Sequence, residues 1–235
     1  MKQTTPLIDF HSHILPRVDH GSSGMTETTK QLQLVSNAKV DVLVATPHFY
    51  PNADSADSFL HKVQAATERL QAASLPPINL CLGAEVLYCN QLDRMDGIEQ
   101  LCIRGTNVLL LEAPMDRWHD DLFDTVEALL KRFTVVLAHI DRYVRVQEQE
   151  IHTLLEMGAL AQINGYAFSS LTTRKKLKPF LETDRVVALG SDLHGADEKT
   201  YARFLASQKR LGNTFDQIMA RSATLLRDAE YILKA

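Results

Sequence analysis

Seven short apolar runs rich in β-branched residues recur along the chain, at 6–10, 40–46, 78–84, 107–112, 134–138, 160–163 and 185–189. Between them, 26–37, 57–73, 121–132, 147–157 and 173–181 carry apolar side chains at helical spacing, as in Phe59, Val63, Ala66 and Leu70 or Leu122, Val126, Leu129 and Leu130. The first of these segments opens on a Thr-Glu start signal at Thr26 and Glu27. Strand and helix alternating in this way imply parallel strands joined by right-handed crossovers, hence an α/β fold, either a barrel or an open doubly wound sheet. A chain of 235 residues fits one domain spanning 1–235. At this length folding buries roughly 70% of the unfolded surface, so neither disulfides nor a structural metal are needed. After Gly195 the chain reads as helical, ending in a helix over 222–234.

A net charge of −4 argues against a nucleic-acid surface, which would show a basic stripe. The densest basic run, Lys175, Lys176 and Lys178, reads as a solvated helix face. Cys81, Cys89 and Cys102 form no CxxC pair and read as buried or incidental thiols in a reducing compartment. The N-terminal segment has no signal-like apolar core, and no stretch approaches the ~18 apolar residues of a membrane span. The expectation is a cytoplasmic protein without membrane insertion.

Polar residues at the ends of the runs carry more information. The first run leads to His11 and His13, the second to His48, the third to Glu85, the fourth to Glu112, the fifth to His139, and the last to Asp192 and His194. In β/α barrels the C-terminal ends of the strands hold the site, because the βα loops converge there. Open α/β sheets also bind ligands beyond their strand carboxyl ends. Singly, each residue has a plainer explanation. His11-Ser-His13 puts two imidazoles on one face of an extended segment, but isolated pairs of this kind are common, as is Asp192-Leu-His194. Glu85 or Glu112 could cap a helix, and His48 after Pro47 could simply end a strand. Recurrence at one structural position favours a shared metal site, and a carboxylate beside an apolar run is costly to bury alone. His61 and His152 fall on predicted helices and should be exposed. His119 follows Trp118 in a loop that could line a pocket, and the pattern leaves His20 unassigned.

Imidazole mixed with carboxylate, without thiolate, suits Zn, Mn or Fe better than Ca, Mg or a structural cysteine–zinc site. A carboxylate bridging two such ions about 3.5–4 Å apart creates a hydroxide placed to attack phosphorus. Neighbouring ions and a cationic side chain then stabilise the phosphate oxygens. Arg142, three residues past His139, is the cation best placed for this, since its planar fork matches phosphate oxygens in pairs. A loop salt bridge to Asp141 or Glu85 is the plainer alternative. The reading is a metal-dependent phosphoester hydrolase with Arg142, Glu85 and Asp192 as its catalytic residues.

The stretches IDFHSHILP (8–16), VDHG (18–21), VATPHFYP (44–51), GAEV (83–86), LLLEAP (109–114), VLAHIDRY (136–143) and GSDLHG (190–195) together resemble the polymerase and histidinol phosphatase (PHP) superfamily. Within it they are similar to the capsule-biosynthesis protein-tyrosine phosphatases of the CpsB/CapC type. That resemblance implies a distorted (β/α)7 TIM-like barrel with three divalent metals at its C-terminal face. One metal would take His11, His13, Glu85 and Asp192. A second would share Glu85 and take Glu112 and His139, and the third would take His48, His194 and His20. Arg142 matches the family arginine that binds the substrate phosphate. The implied substrate is phosphotyrosine on the tail of a bacterial tyrosine kinase controlling capsule or exopolysaccharide synthesis. Where this branch reads Asp-Asp-Gly, the chain has Asp19-His20-Gly21, which moves the metal preference toward a softer, more zinc-like ion. The loop 49–57 also lacks the basic residues that often follow the ATPH motif, a difference that bears on the substrate rather than the reaction.

Three other functions compete. A small-molecule phosphatase of the histidinol-phosphate type shares the chemistry, and a nuclease fits poorly without a basic groove. A non-catalytic module binding metal or phosphopeptide would have no chemical need for all nine ligands. Asp141 and a metal-bound water are the two candidates to protonate the leaving tyrosine oxygen. Nothing in the pattern sets an oligomeric state.

Overall fold

The computed structural model describes residues 5–234. Its central strands are β1 (Ile8–His13), β2 (Val42–Ala45), β3 (His48–Phe49), β4 (Asn79–Leu82), β5 (Glu85–Leu87), β6 (Val108–Glu112), β7 (Thr134–Leu137), β8 (Leu160–Asn164), β9 (Val186–Gly190) and β10 (Leu193–His194). Around them lie α1 (Met25–Asn37), α2 (Ala56–Gln71), α3 (Asp120–Leu130), α4 (Glu148–Met157), α5 (Leu171–Leu181), α6 (Glu198–Leu211) and α7 (Asn213–Leu225). All seven apolar runs contain a strand, and all five amphipathic segments contain a helix, with boundaries shifted by a few residues.

The strands form a closed ring. Parallel pairing runs from β1 to β2 (Ile8↔Val42) and from β2 to β4 (Val44↔Cys81). Beyond Gly83-Ala84 the β4 strand continues as β5, which pairs with β6 (Val86↔Leu111). Parallel pairing then continues through β7 and β8 to β9. Past Ser191-Asp192, β9 continues as β10, and β10 pairs with β1 (Ser12↔Leu193), which closes the barrel. β2 is likewise extended past Thr46-Pro47 as β3, which pairs with β5 (His48↔Glu85). Counting each broken strand once gives seven barrel positions, and the breaks distort the ring. Pro47 offers no N–H to a ladder, which suits it to a break.

Strands enclosed in this way are buried on both faces, and VLVA in β2, VLLLE in β6 and VVALG in β9 have no exposed residue. The core joins these strands to the apolar stripes of the helices, such as Phe59, Val63, Ala66 and Leu70 of α2. Helix α2 starts where the Ser55 hydroxyl accepts the Ser58 N–H at 3.2 Å. Helix α1 begins at Gly24, which has no capping side chain, rather than on the Thr-Glu pair; Glu27 instead reaches back to accept the Ser23 N–H at 2.6 Å.

The expected C-terminal helix fails. Residues 222–234 are not a helix: α7 stops at Leu225, and after a turn Tyr231–Leu233 form β11, antiparallel to β4 (Tyr231↔Cys81). The apolar YIL segment, half-buried throughout, fits the edge that β4 leaves open where it breaks away as β5. Among the described residues no helix is long and apolar enough to cross a membrane. The three cysteines are free thiols, with Cys81 and Cys102 buried.

Candidate metal centre

Six of the seven barrel strands deliver their polar residues to one basin at the C-terminal face of the barrel. His11, His13, Glu85 and His139 are completely buried, and Glu112 and Asp192 nearly so. Glu85 lies at the middle. Its Oε2 is 3.2 Å from both His11 Nε2 and His13 Nε2 and 2.9 Å from His48 Nδ1, while Oε1 is 2.6 Å from His139 Nε2. Glu112 is 3.6 Å from His139 and 3.7 Å from His48. Asp192 Oδ1 is 3.4 Å from both His13 Nε2 and His194 Nδ1. The ligand-type atoms of His11, His13 and Asp192, of His48, Glu85 and Glu112, and of His13, His48 and His194 each lie within 4.8 Å of one another.

The donor set passes a test for metals on its own geometry. Glu85 Oε2, His48 Nδ1, Asp192 Oδ1 and His194 Nε2 are buried atoms with no hydrogen-bond partner. Yet Glu85 Oε2 and His48 Nδ1 are only 2.9 Å apart. Atoms this close but not aligned on each other are directed at points between them, as ligands of shared ions are. An imidazole–carboxylate set without thiolate is also the right chemistry for Zn, Mn or Fe.

The electrostatics follow from crowding. Burial opposes ionisation of Glu85, but the His11 charge, the close imidazoles of His11 and His13 and the hydrogen bond with His139 prevail, holding it well below the usual carboxylate range. Asp192 is likewise buried and held low, by His13, His11 and Arg142. Glu112 moves the other way, raised by burial and by the Glu85 charge. His194 falls to about 4 through burial and the nearby His13 charge. Divalent ions placed among these groups would compete with the protons that the imidazoles draw from the carboxylates.

His20, left open by the pattern, stands at the mouth of the basin. Its side chain is exposed, with its ring 4.7 Å from that of His194 and 4.9 Å from that of His48. Arg142 also belongs here: its Nη2 donates to Asp192 Oδ2, and Nη1 is 3.7 Å from Glu112. The plainer alternative for it, a loop ion pair with Asp141 or Glu85, is not what it makes. Asp141 is buried, accepts the Asn164 N–H at 2.8 Å, and is raised to about 7 by burial. The remaining histidines lie outside the cluster. His61 and His119 are exposed, whereas His152 is half-buried and stacks on Phe180 at 4.3 Å.

Two supports escaped the sequence reading. Asp19 bonds His13 Nδ1 at 2.7 Å and accepts the His48 N–H at 2.9 Å and the Gly21 N–H at 2.8 Å, so one carboxylate orients two of the histidines. On β8, Gln162 Oε1 accepts the His139 N–H at 2.6 Å and lies 3.3 Å from His11 Nδ1; Asn164 donates to Asp192 at 3.0 Å. The signal for the second was present, since LAQIN places polar residues at alternate positions of an otherwise apolar strand.

Comparison with known proteins extends these observations. The family described as capsular polysaccharide synthesis, CpsB/CapC, matches residues 7–233. Tyrosine-protein phosphatase CpsB of Streptococcus pneumoniae is 27% identical over 211 residues, covering 82% of this chain and 85% of that one. Tyrosine-protein phosphatase YwqE of Bacillus subtilis (strain 168) is 25% identical over 240 residues, covering 94% and 91%. A crystal structure from work on B. subtilis YwqE and S. pneumoniae CpsB, described as unique metal-dependent tyrosine phosphatases, superposes with a TM-score of 0.78. It covers 95% of both chains at 19% identity.

Proposed function

The chain belongs to the CpsB/CapC family of capsular polysaccharide synthesis, and from that premise we propose that it is a metal-dependent protein-tyrosine phosphatase. The observation that carries this reading is Glu85: a fully buried carboxylate touched by four imidazoles, one of its oxygens lacking any hydrogen bond. Three divalent ions, Mn, Zn or Fe, would be held as follows. The first would take His11, His13, Glu85 and Asp192, and the second Glu85, Glu112 and His139. The third would take His48, His194 and the exposed His20. Bound there, such ions supply Lewis acidity and an activated water for hydrolysis of a phosphoric monoester.

The protein's own side chains do the positioning. Asp19 holds the His13 ring through Nδ1, leaving Nε2 facing Glu85 and Asp192. Gln162 and Asn164 hold His11, His139 and Asp192 from beneath. Arg142, one-third exposed above Asp192, presents a guanidinium whose paired N–H groups suit phosphate oxygens. The physiological substrate in this reading is phosphotyrosine on a bacterial tyrosine kinase that controls capsule or exopolysaccharide synthesis, met in the cytoplasm. The whole of 1–235 acts as one phosphatase domain.

Hydrolysis of p-nitrophenyl phosphate by protein supplied with Mn, measured before and after chelation, tests the reaction. Turnover is expected only with metal; absent turnover defeats the enzyme reading, and turnover that survives chelation defeats its metal dependence. A phosphotyrosine peptide assayed beside histidinol phosphate tests the substrate. Faster hydrolysis of the peptide is expected, and the reverse order would reassign the chain to small-molecule hydrolysis.

Arg142→Ala is expected to keep its metal by elemental analysis while kcat/KM falls about 10²–10³-fold, the usual loss for one transition-state donor. Metal loss in parallel with activity would instead make Arg142 a support for Asp192.

A further inference from the structure

On the side of Arg142 facing α5 and α6, an open cavity of about 550 Å³ adjoins the metal centre. Arg142 and Arg145, from the segment between β7 and α4, share its lining with Arg203 of α6, and Tyr166, Ser169 and Ser170 add hydroxyls. Three guanidiniums lining one cavity stand out in a chain whose net charge is −4. Arg142 is neutralised by Asp192 and Glu112. Arg145 has only a 3.3 Å hydrogen bond to the buried Thr173 hydroxyl. No carboxylate among the described residues comes within ion-pair distance of Arg145 or Arg203; Asp197, which feels the Arg203 charge, is held low mainly by Thr200. The one acidic group in the lining, Asp141, is buried and accepts the Asn164 N–H.

Unneutralised arginines beside the group expected to hold the substrate phosphate form a receptor for a second anion. Their planar forks fit a carboxylate or a phosphate in pairs. They come from separate elements, the segment after β7 and helix α6, and both side chains are exposed. We propose that this cavity is a subsite for an anionic side chain flanking the phosphotyrosine, with Arg145 and Arg203 as its specificity-determining residues. The inference rests on the phosphotyrosine phosphatase reading and extends it to the substrate's neighbouring residues.

The test uses the metal-loaded enzyme and three peptides sharing one phosphotyrosine, flanked by glutamates, by a second phosphotyrosine, or by alanines. The expected result is a kcat/KM about threefold to tenfold higher for an anionic flank, as partly exposed ion pairs allow, shrinking as salt is raised. In the Arg145→Ala, Arg203→Ala double variant the ratio of anionic to alanine peptide is expected to fall toward unity. The alanine peptide reports on the fold and catalytic centre of the same variant. A preference confined to glutamate, or to the second phosphate, identifies which anion the subsite takes. Equal rates on all three peptides would overturn the subsite and leave the phosphatase reading standing, as would a preference that survives in the double variant. Hydrolysis of none of the peptides would overturn both.

Discussion

Glu85→Gln is expected to lower phosphoester turnover by on the order of a thousandfold, the upper range for loss of a single electrostatic group, and to weaken metal retention at two positions at once. Glutamine keeps the size and removes the charge. One oxygen of Glu85 faces His139, and the other faces His11, His13 and His48, so no other carboxylate of the basin touches as many imidazoles. Glu112 cannot replace it: it stands 3.6–3.7 Å from its nearest imidazoles and is already pushed toward the protonated form. Elemental analysis of dialysed protein together with steady-state kinetics would check this. A variant with full metal content and near-native kcat would show that the two halves of the basin do not share a ligand.

Gly21→Ala is expected to act as strongly through sterics alone. A methyl group on Gly21 would come within 2.1 Å of His13 Cβ and 2.5 Å of the His13 carbonyl oxygen, both too firmly attached to yield. The Gly21 carbonyl also accepts the Gly195 N–H at 2.6 Å and a Gln31 side-chain N–H at 3.2 Å, which pins the loop in place. Overpacking of this kind costs about 3 kcal/mol or more, roughly 6–12 °C in Tm at this chain length. Metal affinity should fall as well, because His13 is displaced. Calorimetry with and without Mn reads both effects. An unchanged Tm would mean that the loop after β1 can move away from His13 at little cost.

The basin was legible because its chemistry recurs: a polar residue follows an apolar run at six of the seven strand positions, and one accident of that kind would have carried little weight. What was not legible depends on contacts between distant segments. Asp19 reads as an ordinary loop aspartate until the ring closes and brings His48 to it from the next strand. Gln162 is found only by its place below His11 and His139, which lie 151 and 23 residues away along the chain. The C-terminal strand was missed for the same reason, since Tyr231–Leu233 is too short to declare itself without the open edge of β4. The placement of His20 at the rim, rather than inside with the other imidazoles, likewise depends on the path of the loop after β1.

His139 and Asp192 both leave their strands with positive φ, at 32° and 54°. Histidine, aspartate and asparagine enter that region more readily than other side chains, and β-branched residues hardly at all. The backbone therefore screens the ligand alphabet before any ion arrives. An engineer seeking to retune this centre for another metal would find these two corners resistant to substitution by shape alone. At His48 no such turn precedes the side chain, and there the exchange of one donor for another is set by chemistry rather than by backbone shape.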